Sequence, residues 1–408
     1  SAETLSVDSW GKKLSDLTAD ELNYSGAKLR NTASNDDVND FFRTGATFNN
    51  SISVSGGTET VRTYFSYANS YSDGMMRNNN YKRNTLSFRQ SYSLFNKKLN
   101  VDLSLNYVQA KTKNRPGGGT VMNPLYDLYR MPRNVDLNYY KENYYIENGK
   151  WTSNEQSYFD SKNNKWTTGT VELTGPKQEW AYWQNGMNNP YWMVNTRNSI
   201  SEEERAYGYI SANYQIIDGL KIQGRLSLDR TKMKGTSERM ATTWNISAME
   251  DYGMYGQDLN WINEVYVDAL LSYDKQIKDF SISATTGWTG HTLKGETQKL
   301  WAKATTANWK HDTMPTLINF FEPSVSQGNV SERSYTLSSN WDKGLLFTGQ
   351  IGWQEKVYLE GSYRRDWYRA FKQYSYRGTP TNYGYFSVGA NALLHQIVTL
   401  PEVITNLK

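Results

Sequence analysis

The chain of 408 residues has no cysteine, three histidines and nine prolines. Without cysteine there are no disulfides and no thiolate metal sites. His291, His311 and His395 are far apart and lack the i, i+4 spacing of a metal-binding pair, so the sequence offers no metal centre. No run approaches the roughly twenty apolar residues of a spanning helix. Mean hydropathy is -0.76. The formal charge of +4 comes from 45 basic and 41 acidic side chains that are interspersed, and no basic stripe marks a nucleic-acid surface. Gly117-Gly118-Gly119 is followed by no Gly-Lys-Ser/Thr and reads as a flexible loop. With no Gly-x-Ser-x-Gly elbow either, nothing supports enzymatic activity or a cofactor.

Aromatics are what the chain does have: 31 Tyr and 14 Trp. They suit interfacial girdles and stacking faces equally. Polarity alternates with period two over many segments. Leu86, Phe88, Tyr92 and Leu94 share one face, while Ser87, Arg89, Ser91 and Ser93 share the other. Ile210, Ala212, Tyr214, Leu220, Ile222, Leu226 and Leu228 stand opposite Tyr209, Ser211, Asn213, Lys221, Gln223, Arg225 and Asp229. Val357, Leu359 and Tyr363 stand opposite Glu360, Ser362 and Arg364. Such segments meet in pairs across tight links at Gly56-Gly57-Thr58-Glu59, Phe95-Asn96-Lys97-Lys98, Asp218-Gly219, the polar stretch from Asp274 to Asp279, and Gln354-Glu355-Lys356.

Between the pairs the period fades over about 111–204, 230–263, 291–340 and 367–382, which read as long connections. Tight turns on one rim and long loops on the other describe a transmembrane antiparallel β-barrel, whose polar lumen keeps whole-chain hydropathy low. A soluble β-sandwich would alternate too. Ionised residues gathered on one face, with Tyr or Trp closing the other, favour the barrel. The acidic run Glu202-Glu203-Glu204 reads as a solvated rim.

Several stretches resemble SusC/RagA-type TonB-dependent outer-membrane transporters. They are Asn39-Asp40-Phe41-Phe42-Arg43-Thr44-Gly45 with the run from Asn49 to Glu59, Tyr71-Ser72-Asp73-Gly74 with Tyr81-Lys82-Arg83, Val357 to Asp366, and Tyr385-Phe386-Ser387-Val388-Gly389-Ala390. Leu400-Pro401-Glu402-Val403-Ile404 looks like the entry to a further strand. The local departure is Trp367-Tyr368-Arg369-Ala370-Phe371, where the family usually has glycine and serines, which puts the turn there in question.

The resemblance implies that residues 1–408 form part of one barrel domain, ten or eleven strands and about half of a plugged barrel of the roughly 22-stranded class, lacking plug and C-terminal strands. It implies location in the outer membrane of a Gram-negative cell, with the short turns periplasmic. Expected partners are the lipid bilayer, the rest of the barrel, a SusD-like surface lipoprotein, and TonB through a plug region. The cargo would be an oligosaccharide or oligopeptide. Candidate substrate or lid contacts are Trp180, Trp183, Tyr191 and Trp192, with Arg364 and Asp366 second; Tyr209, Arg225 and Glu360 are candidates for the lumen or plug-facing side. A competing reading packs the loop aromatics on themselves. A soluble or surface glycan-binding module and a porin without plug are the alternative functions.

Overall fold

In the computed structural model, described residues are 13–19, 37–117, 119, 122–131, 133–160, 164–183, 186–245, 248–250, 253–303, 330–372, 376, 378 and 380–398. Part of Gly117-Gly118-Gly119, His311 and the segment from Leu400 lie outside them. The dominant element is an antiparallel sheet of eleven strands: β1 (Ala46–Gly57), β2 (Val61–Asp73), β3 (Asn80–Leu94), β4 (Leu99–Lys113), β7 (Asn198–Ile217), β8 (Leu220–Arg239), β11 (Met254–Ile277), β12 (Phe280–Lys303), β13 (Val330–Trp353), β14 (Val357–Tyr368) and β15 (Asn382–Ala392). Each strand pairs with its sequence neighbour among these, so the sheet is a meander with no crossover. The remaining strands form two small separate sheets: β5 (Tyr145–Asp160) with β6 (Lys165–Gln178), and β9 (Thr243–Asn245) with β10 (Ala248–Glu250).

Tight turns gather on one rim and are chemically specified. Phe95, Asn96 and Lys97 all take positive φ (51°, 55° and 68°), as do Gln354 and Glu355 (51° and 57°). Gly219 turns β7 into β8 at φ +84°, where a side chain would also meet the Asp274 carbonyl oxygen at 2.6 Å, so glycine is required twice over. The polar link expected from Asp274 to Asp279 contracts to Lys278-Asp279, because β11 pairs through Ile277↔Phe280.

The long connections lie on the opposite rim and are narrower than the fading period suggests. Strand β4 continues to Lys113 and β7 resumes at Asn198; the stretch expected over 230–263 shrinks to 240–253; the one over 291–340 shrinks to 304–329, which lies outside the described residues; and the last spans 369–381. Strands of 20 to 24 residues overshoot the 9–11 that cross a bilayer. Beyond that band polar residues stand on both faces among the apolar ones, so the ladder continues while the alternation weakens.

Register confirms the two faces. On one, Leu105 pairs with Gly208, Gly208 with Leu228, and Leu228 with Val265. On the other, Ser104 pairs with Tyr209, Tyr209 with Ser227, and Ser227 with Tyr266. The apolar face stays uncovered: Phe386 is 78%, Val388 74%, Leu359 55% and Leu228 54% exposed. An apolar surface of that extent belongs against lipid. No helix among the described residues is long and apolar enough to cross a membrane.

The buried core lies elsewhere, in a loop module between β4 and β7. It comprises α1 (Pro124–Arg130), α2 (Leu137–Glu142), the β5–β6 hairpin and α3 (Pro190–Thr196). Asn123, Asp136 and Asn189 cap the three helices through their side-chain oxygens, and Pro follows at the first helical position of α1 and α3.

Candidate functional site

The polar face carries a belt of paired charges that the meander brings together from distant sequence. Arg225 on β8 lies opposite Asp268 on β11, Asp268 opposite Thr289 on β12, Thr289 opposite Gly344 on β13, and Gly344 opposite Asp366 on β14. Arg225 Nε donates to Asp268 Oδ2 at 2.7 Å, and Gln223 Nε2 donates to the other oxygen at 3.2 Å. Arg364 Nε donates to both oxygens of Asp366 (2.9 and 3.0 Å), and the Tyr385 hydroxyl donates to Oδ2 at 2.7 Å. Gly344 makes the second arrangement possible, since a side chain there would collide with the Asp366 carboxylate. Asp268 and Asp366 are 2% and 3% exposed, a burial that carboxylates accept only with such partners.

One step along the strands, His291 stands between two further carboxylates. Its Nε2 lies 2.6 Å from Glu264 Oε1 and its Nδ1 2.9 Å from Asp342 Oδ1. Arg205 closes the row on β7, donating through Nε to both oxygens of Asp229 (3.0 and 3.1 Å). Except for Arg364 with Asp366, two positions apart, none of these pairs is close in sequence. The signal that could have found the others was their shared parity on neighbouring strands.

Tyr209, Arg225 and Glu360 all stand on this polar face; Tyr209 borders the cleft beside Tyr266 and Asp229, and Glu360 pairs across from Gln350 and Gly389. Arg364 and Asp366, expected at a strand's outer end for ligand, belong to the belt instead, with Asp366 already saturated by Arg364 and Tyr385. The Glu202–Glu204 run is not a free acidic rim: Lys111 Nζ sits 2.8 Å from Glu202.

The Trp-rich stretch is corrected more sharply. Trp192 is 1%, Tyr191 1% and Trp180 6% exposed, too little for any of them to offer a ring face to a ligand in this structure. Trp180 and Tyr191 form a core with Leu128, Leu137, Tyr140 and Tyr182, joined by Phe41, whose ring meets Tyr191 edge-on at 5.2 Å, while Trp192 lies beside the rings of Tyr144 and Tyr145 (6.5 and 6.4 Å). Trp183 differs: it is partly exposed, with the Lys177 ammonium 4.1 Å over its ring. Partial burial holds that ammonium below the usual lysine range. Tandem apolar and aromatic residues without strand parity look the same whether they face inward or outward, so sequence could not separate the two readings.

A polar lattice fixes the module to the connection after β8. Gln178 donates through Nε2 to Asn188 Oδ1 (3.0 Å) and to the Thr242 carbonyl, while its Oε1 accepts from the Asn189 amide (3.0 Å). Trp192 Nε1 donates to Thr243 Oγ1 (2.9 Å), and Trp183 Nε1 to the Thr242 carbonyl (3.0 Å). Asn189 Nδ2 donates to the carbonyls of Tyr140 (3.1 Å) and Glu179 (2.9 Å). Asp127 accepts from the Asn188 amide at 3.1 Å, yet burial pushes its carboxyl up to about 7, with that hydrogen bond and Arg130 opposing. Burial likewise raises the Tyr182 phenol. Among the described residues no group of His, Cys, Asp or Glu is arranged to hold a metal ion.

No family model matches the chain, and no curated protein does. Solved structures match over nearly its whole length. The RagAB peptide transporter superposes with a TM-score of 0.64 at 16% identity, covering 94% of this chain and 38% of that one. The RagAB peptide importer in its "open-open" state gives 0.64 at 16% (96% and 40% covered), and in its "closed-closed" state 0.62 at 18% (92% and 38%). These likenesses show the fold: an antiparallel wall of a transmembrane β-barrel, similar to that of the SusC/RagA-type transporters that the sequence resembles. The chain spans about two fifths of the length of the structures it matches.

Proposed function

We propose that the chain is part of the barrel of an outer-membrane importer that takes up oligopeptides in a TonB-dependent manner with a SusD-like surface lipoprotein at its outer mouth. The observation that carries this reading is the division of one sheet into an uncovered apolar face and a face bearing the Arg205–Asp229, Arg225–Asp268 and Arg364–Asp366 pairs. A passive pore needs water along its lumen, whereas dense pairing of charge around the buried carboxylates Asp268 and Asp366 suits a wall lying against other polypeptide such as a plug. Tyr209, Arg225 and Glu360 are the proposed plug-facing positions. Arg364 and Asp366 shape the wall there, and cargo reaches the module at Trp183 rather than at Trp180, Tyr191 or Trp192. In this reading the tight turns are periplasmic and the loop module is extracellular.

The likeness to peptide importers favours oligopeptide over oligosaccharide. The test is uptake of labelled peptide and labelled oligosaccharide pools by cells carrying the full-length protein or its Arg225→Gln/Glu360→Gln variant. Peptide uptake should fall in the variant while the heat-modifiable folded barrel stays at the wild-type amount. Equal uptake by variant and wild type, or uptake of saccharide only, would overturn the assignment.

A further inference from the structure

The apolar face of the wall is interrupted by a groove of about 690 Å³ running across β2, β3, β4, β7 and β8. Gly208 leaves its floor bare, and Phe65, Phe88, Leu105, Ile210 and Leu228 form its sides. The groove is almost wholly apolar and open along the sheet. Its volume and apolar lining suit a hydrocarbon chain, not a folded partner.

Directly beyond it, away from the tight turns, the same face turns basic. Arg230 follows Leu228 by two positions, about 7 Å along the strand, and borders the groove itself. Next come Lys232 and Lys234 on β8, Lys111 on β4 and Lys82 on β3, gathered round a second depression of about 360 Å³. Register places them side by side: Lys232 opposite Glu204, Lys234 opposite Glu202, Glu202 opposite Lys111, and Lys111 opposite Lys82. Five cations stand against the three carboxylates that line the depression, Glu202, Glu203 and Glu204, leaving an excess positive charge of two. Lys82, Lys111 and Lys232 stand about thirteen residues from the tight turns, just past the 9–11 that cross a bilayer.

Cations elsewhere at this height are arranged differently. Lys343 lies over the Trp341 ring (5.6 Å) and the Trp367 ring (5.9 Å), and Arg365 over Trp367 (5.6 Å). That is a girdle, in which aromatics hold snorkelling side chains at an interface. The Lys82–Lys234 cluster is flanked by Tyr71, opposite Lys82, and Trp261, opposite Lys232, and sits above an apolar slot.

We propose that this part of the wall binds one phosphate-bearing lipid of the outer leaflet, with an acyl chain in the Gly208 groove and the phosphate on Lys82, Lys111, Arg230, Lys232 and Lys234. The juxtaposition of slot and cations supplies the two signals that a phospholipid presents at one spacing, and ammonium groups suit phosphate as point charges. The inference rests on the membrane-barrel reading. It concerns the outward face only and is independent of the cargo.

The experiment uses the full-length protein in phosphatidylcholine vesicles containing a small fraction of phosphatidic acid, with native mass spectrometry counting the phosphatidic acid retained on the ejected barrel. The Lys82→Gln/Lys111→Gln/Lys232→Gln/Lys234→Gln variant should retain at least about tenfold less, while Lys343→Gln/Arg365→Gln retains the wild-type amount. Glu202→Gln, which removes a competing carboxylate, should retain more than wild type. Excess inorganic phosphate should not displace the lipid, because the acyl chain contributes. Wild-type retention by the quadruple variant, no gain in Glu202→Gln, or full displacement by free phosphate would overturn the proposal. Heat-modifiable migration of the same samples is scored in parallel: its absence in the wild type counts against the barrel itself, and its presence confines a failed binding result to the lipid site.

Discussion

The wall and the loop module use the same residue types to opposite ends. In the module, Trp192 and Tyr182 are 1% exposed, whereas on the wall Phe386 is 78% and Leu337 68% exposed. The module is built as a soluble domain is, with apolar side chains inside and Gln178, Asn188 and Asn189 hydrogen-bonded to one another and to nearby backbone. The wall is inverted, its charges paired on one face and its apolar side chains turned outward. The lesson is that aromatic density reveals nothing about burial until parity is known, and parity is available only where a strand repeats.

The two designs should fail in different ways, and the largest effect belongs to the module. Trp192→Ala removes a buried indole and its hydrogen bond to Thr243, a loss of about 3–5 kcal/mol. Limited proteolysis should then cut within the module while the barrel still migrates as a heat-modifiable species; loss of both together would mean that the two regions fold as one unit.

On the wall the face decides the outcome. Leu226→Arg places a charge among lipid-facing positions at about 2–4 kcal/mol, whereas Ser227→Arg enters the polar face. Folded yield by heat-modifiable migration should drop for the first and hold for the second. Equal yields would erase the distinction between the faces.

Smaller again is Asn189→Ala, which removes a helix cap and two side-chain donations to carbonyls, about 1–3 kcal/mol. Its signature is faster amide exchange in α3 and at 242–244, with none in β7 or β8.

A separate expected effect is a pH dependence peculiar to the module. Asp127 carries its proton up to about 7 when folded, against 3.8 ordinarily. Between these values the folded state holds a proton that the unfolded state has released, so stability is lost as pH rises through that window and is level above it. Protease resistance should therefore be higher near about pH 5 than near about pH 8, and Asp127→Asn should flatten the difference.

Much of the wall is legible in the amino-acid sequence. Alternation around Leu86 to Tyr107 and Ile210 to Leu228 marks the faces, and Asp218-Gly219 and Asn96-Lys97 mark turns, because period two and left-handed turn residues are local properties. The overshoot of strands into 230–239 and 254–263 is hidden, since polar and apolar residues mix on both faces there and the alternation weakens. The belt is half visible. Arg225 and Glu360 can be placed on a face, but their neighbours on it come from strands as far apart as β8 and β14, and pairing depends on register that sequence does not state. The module is least visible, because its helices are six or seven residues long and its lattice joins Gln178 to Thr242 across 64 positions.

The absence of cysteine makes the decisive measurement simple. Single cysteines introduced at 223–230 of the full-length protein in its membrane carry a fluorophore, and quenching by a lipid-soluble and a water-soluble agent is compared along β8. Strict alternation is expected, with 224, 226 and 228 quenched from the lipid and 223, 225, 227 and 229 shielded from it. Uniform access to the aqueous quencher along the strand would contradict the inverted wall and return the chain to the class of soluble β-proteins.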